Sequence, residues 1–343
     1  MEHSALYRKY RPENLAELIG QEHIATAIEG ALKNNKIAHA YLFSGSRGTG
    51  KTTTARIMAK VLGSSANDTY EIDAASNNGV DDVRELRENV GTLPFDSKYK
   101  VYIIDEVHML SKAAFNALLK TLEEPPSHVV FILATTEVEK VPETIVSRCQ
   151  CFVFKKPSES VLRTFIEKTA KAEKVNLGEG ASELIAVLAE GGFRDALGIL
   201  QKVISACGNK ISEEDVAKIT GAPSSILVRD FIEAVARGVL SEALVVLNKA
   251  KEINISMKTM LELVLYTIRR ILLIKVAPSI AKTELEGLSK EEQEFIQRIA
   301  QMNSPQMTSK TLLTFLDAVN QQRYAVIESL PLELALIKVL GQE

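Results

Sequence analysis

The sequence is poor in cysteine and has little excess charge of either sign. Of its 343 residues only Cys149, Cys151 and Cys207 are cysteines, which excludes a disulfide framework and is typical of a reducing compartment. The formal net charge is −3, so any contact with nucleic acid must come from a local basic patch. The 46% hydrophobic and 25% charged fractions are ordinary for a soluble globular chain of two or three domains.

Long uninterrupted apolar runs are also missing. The first fifteen residues, MEHSALYRKYRPENL, contain no apolar signal core. The most apolar stretch, residues 260–277, is interrupted by Arg269, Arg270 and Lys275, which favours a buried amphipathic helix over a membrane span. We therefore expect a cytoplasmic protein without a membrane partner.

The first half of the chain alternates short apolar runs with helical patterns. The apolar runs lie at residues 40–44, 69–73, 100–105, 129–135 and 151–154. Between them, residues 111–126 carry apolar side chains at helical spacing and end at two prolines. This alternation predicts an α/β domain with a parallel five-stranded sheet that has helices on both faces.

Strand patterns disappear after Pro157. Residues 158–175 and 180–207 have helical patterns, residues 220–225 form a turn-rich break, and the remainder is again helical. The sequence therefore predicts three domains, an α/β core at 1–156, a small helical domain at 157–221 and a larger helical domain at 222–343.

Residues 45–52, GSRGTGKT, match the pattern G-x-x-x-x-G-K-[ST] between a predicted strand and a predicted helix. In such a phosphate-binding loop (P-loop), backbone N–H groups and the helix dipole surround phosphate oxygens, the lysine reaches the β- and γ-phosphates, and the Thr52 hydroxyl ligates Mg²⁺. The specificity of this motif disfavours an ordinary glycine-rich turn. The predicted nucleotide-binding residues are Gly45, Ser46, Arg47, Gly48, Thr49, Gly50, Lys51, Thr52 and Thr53.

Two further strands end in polar residues at the sheet edge where ligands bind in α/β folds. After residues 100–104, Asp105 would hold Mg²⁺ and Glu106 would polarise the attacking water, unless Glu106 is only a solvated charge. After the fourth strand, either Thr135 or Thr136 senses the γ-phosphate, or both are present for their strand propensity. His108 is more typical of a structural residue than of a catalytic one.

Several segments together resemble one protein family. They are YRKYRP, GQEHI, HAYLFSGSRGTGKTTTAR, EIDAASN, KVYIIDEVHMLSKAAFNALLKTLEEPP, FILATT, IVSRC and GGFRDALG. They are similar to the tau/gamma subunits of the bacterial DNA polymerase III clamp loader, which are AAA+ ATPases that use ATP and Mg²⁺. The resemblance covers residues 1 to about 220 and implies a helical lid at 157–221 and a helical collar for oligomerisation at 222–343.

The resemblance implies a role in a neighbouring subunit for Arg148. This residue would be an arginine finger that reaches the γ-phosphate bound by the next subunit of a ring, where a guanidinium neutralises developing charge. From the residues alone, a surface arginine in an ordinary ion pair is an equal alternative.

Further nucleotide contacts are implied at both ends of the family match. Arg194 would be a second sensor that contacts the chain's own nucleotide, the alternative being an ion pair with Asp195 or Glu190. The adenine side would be formed by Arg8, Tyr10 and Pro12.

The chain departs from the family in one segment. The family usually carries a four-cysteine zinc module before EIDAAS, whereas residues 63–70 here contain neither cysteine nor histidine. Three cysteines cannot supply four zinc ligands, so we expect no zinc and interpret the cysteines as small core side chains.

The resemblance also implies partners. These are clamp-loader subunits of the delta and delta-prime types, copies of the chain itself in a ring, the sliding clamp, and primer–template DNA held by its backbone, all at the replisome in the nucleoid. A solvated helix face is the alternative for every DNA-binding candidate. The candidates are Asn77, Arg84, Ser111, Lys112 and Lys120, with Asn116 on the same polar stripe.

Three hypotheses follow. The first is an ATPase motor subunit that loads the clamp, and the intact Lys51, Thr52, Asp105 and Glu106 favour it. The second is a non-hydrolysing scaffold subunit of the same ring. The third is another AAA+ motor, such as a branch-migration helicase, which the segments IVSRC and DEVHML disfavour.

Overall fold

The computed structural model describes residues 5–77, 79, 89–285 and 288–341. The chain divides into two compact units, the first from Met1–Val161 and Gly191–Asp195, and the second from Leu162–Glu190 and Ala196–Glu343. The finer division into three domains stays a prediction.

The first unit is built on a parallel five-stranded sheet in the order β2-β3-β4-β1-β5. Its strands are β1 (Ala40–Ser44), β2 (Thr69–Asp73), β3 (Lys100–Asp105), β4 (Val129–Thr135) and β5 (Gln150–Val153). The predicted α/β fold is confirmed, and the first four strands have the predicted bounds. The fifth begins and ends one residue earlier than expected, a difference typical of element ends.

Helices cover both faces of this sheet. Among the described residues of this unit, the α-helices are α1 (Leu6–Lys9), α2 (Glu22–Lys33), α3 (Lys51–Val61), α4 (Lys112–Glu123) and α5 (Glu143–Val146). Leu42 and Phe131 pack with Leu118 of α4 on one face, whereas Phe43 and Ile57 of α3 share the core of the other. Strands covered on both sides must be apolar at every position, which is why β1 and β4 read as continuous apolar runs.

Helix α4 shows how the local sequence determines where a helix begins, which side is buried and where it ends. Ser111 caps it, because its hydroxyl oxygen accepts from the Ala114 N–H at 3.2 Å. Phe115, Leu118 and Leu122 are buried on one side, and the helix ends at Glu123 before the two prolines.

The second unit is mainly helical. The helices are α6 (Glu159–Ala172, begun in the first unit), α7 (Ala181–Leu188), α8 (Phe193–Cys207, likewise), α9 (Glu213–Thr220), α10 (Ser225–Arg237), α11 (Leu240–Glu252), α12 (Met257–Val276), α13 (Ala281–Leu285), α14 (Lys290–Gln301), α15 (Ser309–Gln322) and α16 (Leu330–Leu340). The expected amphipathic helix is α12, whose Val264, Ile268 and Ile271 are fully buried. Its arginines, Arg269 and Arg270, pair with acidic residues of other helices. None of the helices in the described part of the chain combines the length and the apolar character needed to cross a membrane.

The expectation that strands end after Pro157 was wrong. Two short strands, β6 (Asn176–Leu177) and β7 (Lys210–Ile211), pair in parallel within the second unit. Each has only two residues, so neither can show the alternation of side chains by which strands are predicted from sequence.

Candidate nucleotide site

The loop between β1 and α3 requires glycine at two positions. Gly45 has φ +146°, and a Cβ there would lie 2.6 Å from the Phe154 carbonyl oxygen. Gly48 has φ +77°, and a Cβ would lie 2.9 Å from the Gly192 Cα. Neither position accommodates a side chain without movement of the backbone. Without side chains at these two positions, the loop backbone can lie close to neighbouring backbone atoms and can approach a ligand closely.

Lys51 begins α3 with its side chain folded into this loop. The residue is only 6% exposed, and its ammonium group donates to the carbonyl oxygens of Gly45 at 2.8 Å and Ser46 at 3.0 Å. Burial lowers the pKa of this ammonium group, although the carboxylates of Glu106 and Asp105 oppose the shift. The Lys51 ammonium group thus lies within the phosphate-binding loop, where an anionic ligand would offset the free-energy cost of its burial.

The next residue of α3 meets the end of β3. The Thr52 hydroxyl donates to Asp105 Oδ2 at 2.6 Å. Strands β1 and β3 are separated by β4, but their carboxyl ends lie at the same edge of a parallel sheet. A hydroxyl and a carboxylate are the hard oxygen ligands that suit Mg²⁺.

Glu106 follows in a strained conformation. Its φ of 49° and ψ of 45° are left-handed, which is uncommon for a residue other than glycine. Its Oε2 atom accepts from the Thr136 hydroxyl at 3.0 Å and from the Thr136 N–H at 3.3 Å. The structure thus brings the candidate base against one of the two candidate threonines.

The other threonine, Thr135, lies behind the site. It is fully buried, and its Oγ1 lies 2.9 Å from Nδ1 of His108, which is itself only 6% exposed. The two threonines at the end of β4 therefore have different surroundings, and Thr136 is the one that faces Glu106. The interpretation of His108 as a structural residue stays a prediction.

Arg194 lies in the segment Gly191–Asp195, which belongs to the first unit. The N–H of Phe193 donates to the Gly48 carbonyl at 3.1 Å, which holds this segment against the phosphate loop. The Arg194 guanidinium lies 5.0 Å from the centre of the Tyr7 ring. Glu190, one of its expected ion-pair partners, instead contacts Lys258.

Two residues of the YRKYRP segment that the sequence analysis did not select contact predicted site residues. Tyr7 stacks with Arg194, and Arg11 donates through Nε to the Thr53 hydroxyl at 3.1 Å. Burial lowers the pKa of Arg11, and the neighbouring guanidinium groups of Arg56, Arg194 and Arg8 act in the same direction. Of the residues predicted for the adenine side, Arg8 is exposed and Tyr10 and Pro12 are half-buried, and their role stays a prediction.

Arg148 lies at the amino-terminal ends of the parallel strands, whereas the phosphate loop lies at their carboxyl ends. It precedes β5, which runs parallel to β1 with Gln150 beside Tyr41, whereas the loop follows the other end of β1. The five residues of β1, at about 3.3 Å each, separate the two edges by roughly 16 Å. Arg148 pairs with Glu123 Oε1 at 2.7 Å and donates to the Thr144 carbonyl at 2.8 Å. The structure therefore does not bring Arg148 to the chain's own nucleotide site.

The DNA-binding candidates that the structure describes are exposed polar residues. Lys112, Asn116 and Lys120 are exposed on one side of α4, as their spacing predicts. Asn77 is also exposed, and its side-chain amide donates to the Asp73 carbonyl at 3.0 Å. Arg84 lies outside the described residues.

The cysteines were only partly interpreted correctly. Cys149 is half-buried, and burial raises the pKa of its thiol to about 12, which disfavours a reactive thiolate. Cys151, however, is exposed, so its assignment to the core was wrong. It lies on β5, an edge strand that pairs on one side only, and most of that strand is open to solvent.

The strand order, the glycine loop after β1, the acidic pair after β3 and the threonines after β4 together define an AAA+ P-loop fold. The Holliday junction branch-migration motor RuvB of Thermotoga maritima shares this fold, with a TM-score of 0.53 over 66% of this chain and 79% of that one. At 22% identity the likeness is one of fold alone.

Sequence comparison identifies the family. The model described as DNA polymerase III, delta subunit, matches residues 20–78 and 65–158, and the model of gamma and tau domain III matches residues 211–342. The tau subunit of Bacillus subtilis is 41% identical over 94% of this chain, and the gamma subunit of Buchnera aphidicola (from Acyrthosiphon pisum) is 33% identical over 99% of both chains. The chain belongs to the gamma/tau family of DNA polymerase III subunits, which confirms the resemblance. It spans 60% of the length of the Bacillus tau subunit and 56% of that of Escherichia coli.

Proposed function

We propose that the chain is an ATPase motor subunit of the replicative clamp loader, which uses ATP binding and hydrolysis to load the sliding clamp onto primer–template DNA. The observation that carries the proposal is the convergence of Lys51, the Thr52–Asp105 pair and Glu106 at one sheet edge. A non-hydrolysing scaffold has no use for this complete set. The family relationship, at 33–41% identity, favours clamp loading over the branch migration performed by the more distant RuvB.

The residues present fit a nucleotide with magnesium. Backbone N–H groups of residues 45–50 and the start of α3 would hold the phosphates, with Lys51 between the β- and γ-phosphates. Among the described residues no three histidine, cysteine or acidic side chains form a metal cluster, so magnesium would depend on Thr52, Asp105 and phosphate oxygens. When bound, it would neutralise phosphate charge, while Glu106 would orient and polarise water.

Hydrolysis is completed in trans. Because Arg148 lies at the opposite sheet edge from its own loop, it is suited to a site on a neighbouring subunit and not to its own. In the chain alone its guanidinium is paired with Glu123, so assembly must replace this partner by a γ-phosphate. ATP turnover therefore depends on assembly, because each nucleotide site lacks an arginine finger until a neighbouring subunit supplies one.

The proposed partners follow from the same role. They are subunits of the delta and delta-prime types and further copies of the chain, joined through a collar at residues 222–343, together with the clamp and DNA. Residues 157–221 would form the lid, and the assembly would act in the cytoplasm, at the replisome of the nucleoid.

Reconstitution tests the proposed function. We expect the chain, assembled with its partner subunits, to hydrolyse ATP faster when clamp and primer–template DNA are both added, and to place the clamp on DNA. The chain alone should be slow because no finger reaches its site. Efficient branch migration by the chain alone, with no clamp loading by the assembly, would support the competing motor.

The polar stripe of α4 gives a second test. Replacing Lys112 and Lys120 by alanine should weaken DNA binding by the assembly and reduce the slope of log affinity against log salt by about 2, the effect of two lost phosphate contacts. Lys171→Ala, a change at an exposed lysine outside the stripe, serves as control. An unchanged slope in the double variant would show that the stripe is a solvated face.

A further inference from the structure

Four arginines form a basic cluster beside the first turn of α3, within the first unit. They are Arg8, Arg11, Arg56 and Arg194, and the other three guanidinium groups act electrostatically on that of Arg11. Arg56 is paired with Glu71, to which its Nε donates at 2.7 Å. Among the described residues, no carboxylate lies within salt-bridge distance of the other three arginines. The cluster therefore carries positive charge that the described part of the chain does not neutralise.

The ring of Tyr7 is a contact that two members of this cluster share. The guanidinium carbon of Arg194 lies over the ring, 5.0 Å from its centre, and that of Arg8 lies 5.9 Å from the same centre. An aromatic ring attracts a cation through the negative potential of its face and leaves the charge in place. A carboxylate partner would instead cancel the charge and occupy the N–H donors. Tyr7 can therefore hold a guanidinium group that is still able to bind an anion.

The backbone before Arg194 is fixed against the phosphate loop. The Phe193 N–H donates to the Gly48 carbonyl at 3.1 Å, and the Gly192 Cα lies 2.9 Å from where a Cβ of Gly48 would be. The Arg194 side chain is exposed, and among the described residues it makes neither a hydrogen bond nor an ion pair. A free arginine side chain samples many rotamers. The Tyr7 ring therefore limits where this guanidinium group lies at the side of the loop.

We propose that Tyr7 is a positioning residue for Arg194, whose guanidinium group it holds beside the phosphate loop, charged and with its donors available, for the triphosphate of the bound nucleotide. The inference rests on the proposed ATPase function. A guanidinium group that is already held loses less conformational freedom when phosphate binds, so affinity rises. Tyr7 acts through Arg194 and needs no contact of its own with the nucleotide. A cation–π contact at an exposed site corresponds to a factor of about 2 to 5 in affinity.

A double-substitution cycle on the full chain tests the role of Tyr7 by titration with ATP and Mg²⁺. With Arg194 present, Tyr7→Leu should weaken ATP binding about threefold, and Tyr7→Phe, which keeps the ring, should bind as the wild type does. In the Arg194→Ala background, Tyr7→Leu should have no further effect. Equal weakening in both backgrounds would show that the ring contacts the nucleotide or supports the fold, and would overturn the inference. Wild-type affinity in Tyr7→Leu would overturn it as well.

Inorganic tripolyphosphate separates the two ends of the nucleotide, because it contains phosphate but neither base nor ribose. Tyr7→Leu should weaken tripolyphosphate binding by the same factor as ATP binding. A loss seen with ATP alone would place the ring against the base or ribose and contradict a role through Arg194. Tyr99→Leu is the matched control, since the Tyr99 ring is also half-buried and lies 5.2 Å from Lys98 Nζ. It should leave both affinities unchanged.

The contact itself can be measured without a ligand. In NMR spectra of the nucleotide-free full chain, the Arg194 Nε–H resonance, identified by its loss in Arg194→Ala, should carry a ring-current shift. Tyr7→Phe should keep this shift and Tyr7→Leu should remove it, whereas a resonance that is the same in all three proteins contradicts the contact. If Tyr7→Leu folds poorly, Tyr7→Met replaces it in every comparison. An assembly that binds ATP but does not hydrolyse it contradicts the proposed motor alone, and the double-substitution cycle still decides the role of Tyr7.

Discussion

Replacing Arg148 by alanine is expected to lower DNA-stimulated ATP turnover of the assembled complex by about 10³-fold or more, while each subunit binds ATP as before. The guanidinium lies at the opposite sheet edge from its own phosphate loop, so its loss removes nothing from the chain's own binding site. It removes the charge that a neighbour's γ-phosphate requires in the transition state. Turnover and nucleotide affinity, measured on the same preparation, separate these effects.

Glu123→Ala is the matched control for this prediction. It removes the ion pair of Arg148 but leaves the arginine in place. If Arg148 serves only as the partner of Glu123, the two variants should behave alike. If it is a finger, Glu123→Ala should keep stimulated turnover, and Arg148→Lys should remain impaired because an ammonium lacks the planar fork of donors. Normal stimulated turnover in Arg148→Ala would exclude the finger.

The sheet was predictable because its strands are buried on both faces. β1 and β4 have no alternation to interpret, only apolar runs that end where the polar site residues begin. Placing Thr52 and Asp105 at one edge then followed from parallel connectivity alone, and the structure joins them by a hydrogen bond. The same reasoning failed for β6 and β7, whose two residues each are too few to carry a pattern.

Individual choices within a motif were less predictable. Nothing in YRKYRP distinguishes Tyr7 and Arg11 from Arg8 and Tyr10, since all belong to five consecutive residues in or just after one four-residue helix. The distinction depends on contacts with Arg194 and Thr53, which are distant in sequence. Likewise, Thr135 and Thr136 are equivalent as sequence, and only the packing of His108 separates a buried threonine from one that contacts Glu106.

The position of Cys151 illustrates a different limit. Without a zinc module Cys151 was interpreted as a core side chain, but β5 lies at the sheet edge and pairs with β1. Strand order, which depends on crossover connections and not on local pattern, decides which strand is at the edge. Whether a residue on such a strand is exposed therefore depends on the strand order of the sheet and not on the local sequence.

Lys51→Ala should have an effect of similar size to that of Arg148→Ala but of a different kind. The ammonium group is buried in the phosphate loop, where low dielectric strengthens its interaction with phosphate. Its removal should therefore weaken ATP binding as well as lower turnover, by about 10²-fold to 10³-fold for turnover at saturating ATP. Nucleotide titration and steady-state turnover of the assembled complex measure both.

Lys60→Ala is the control for this change, because Lys60 lies on the same helix, α3, and is exposed. It should preserve affinity, turnover and clamp loading. The comparison also decides between motor and scaffold. A motor subunit with Lys51→Ala should stop the whole assembly from loading clamps, since its site can no longer reach the ATP-bound state. If the assembly with Lys51→Ala in this chain hydrolyses ATP and loads clamps at the rate of the Lys60→Ala control, the chain is a scaffold and its complete nucleotide site is not used for turnover.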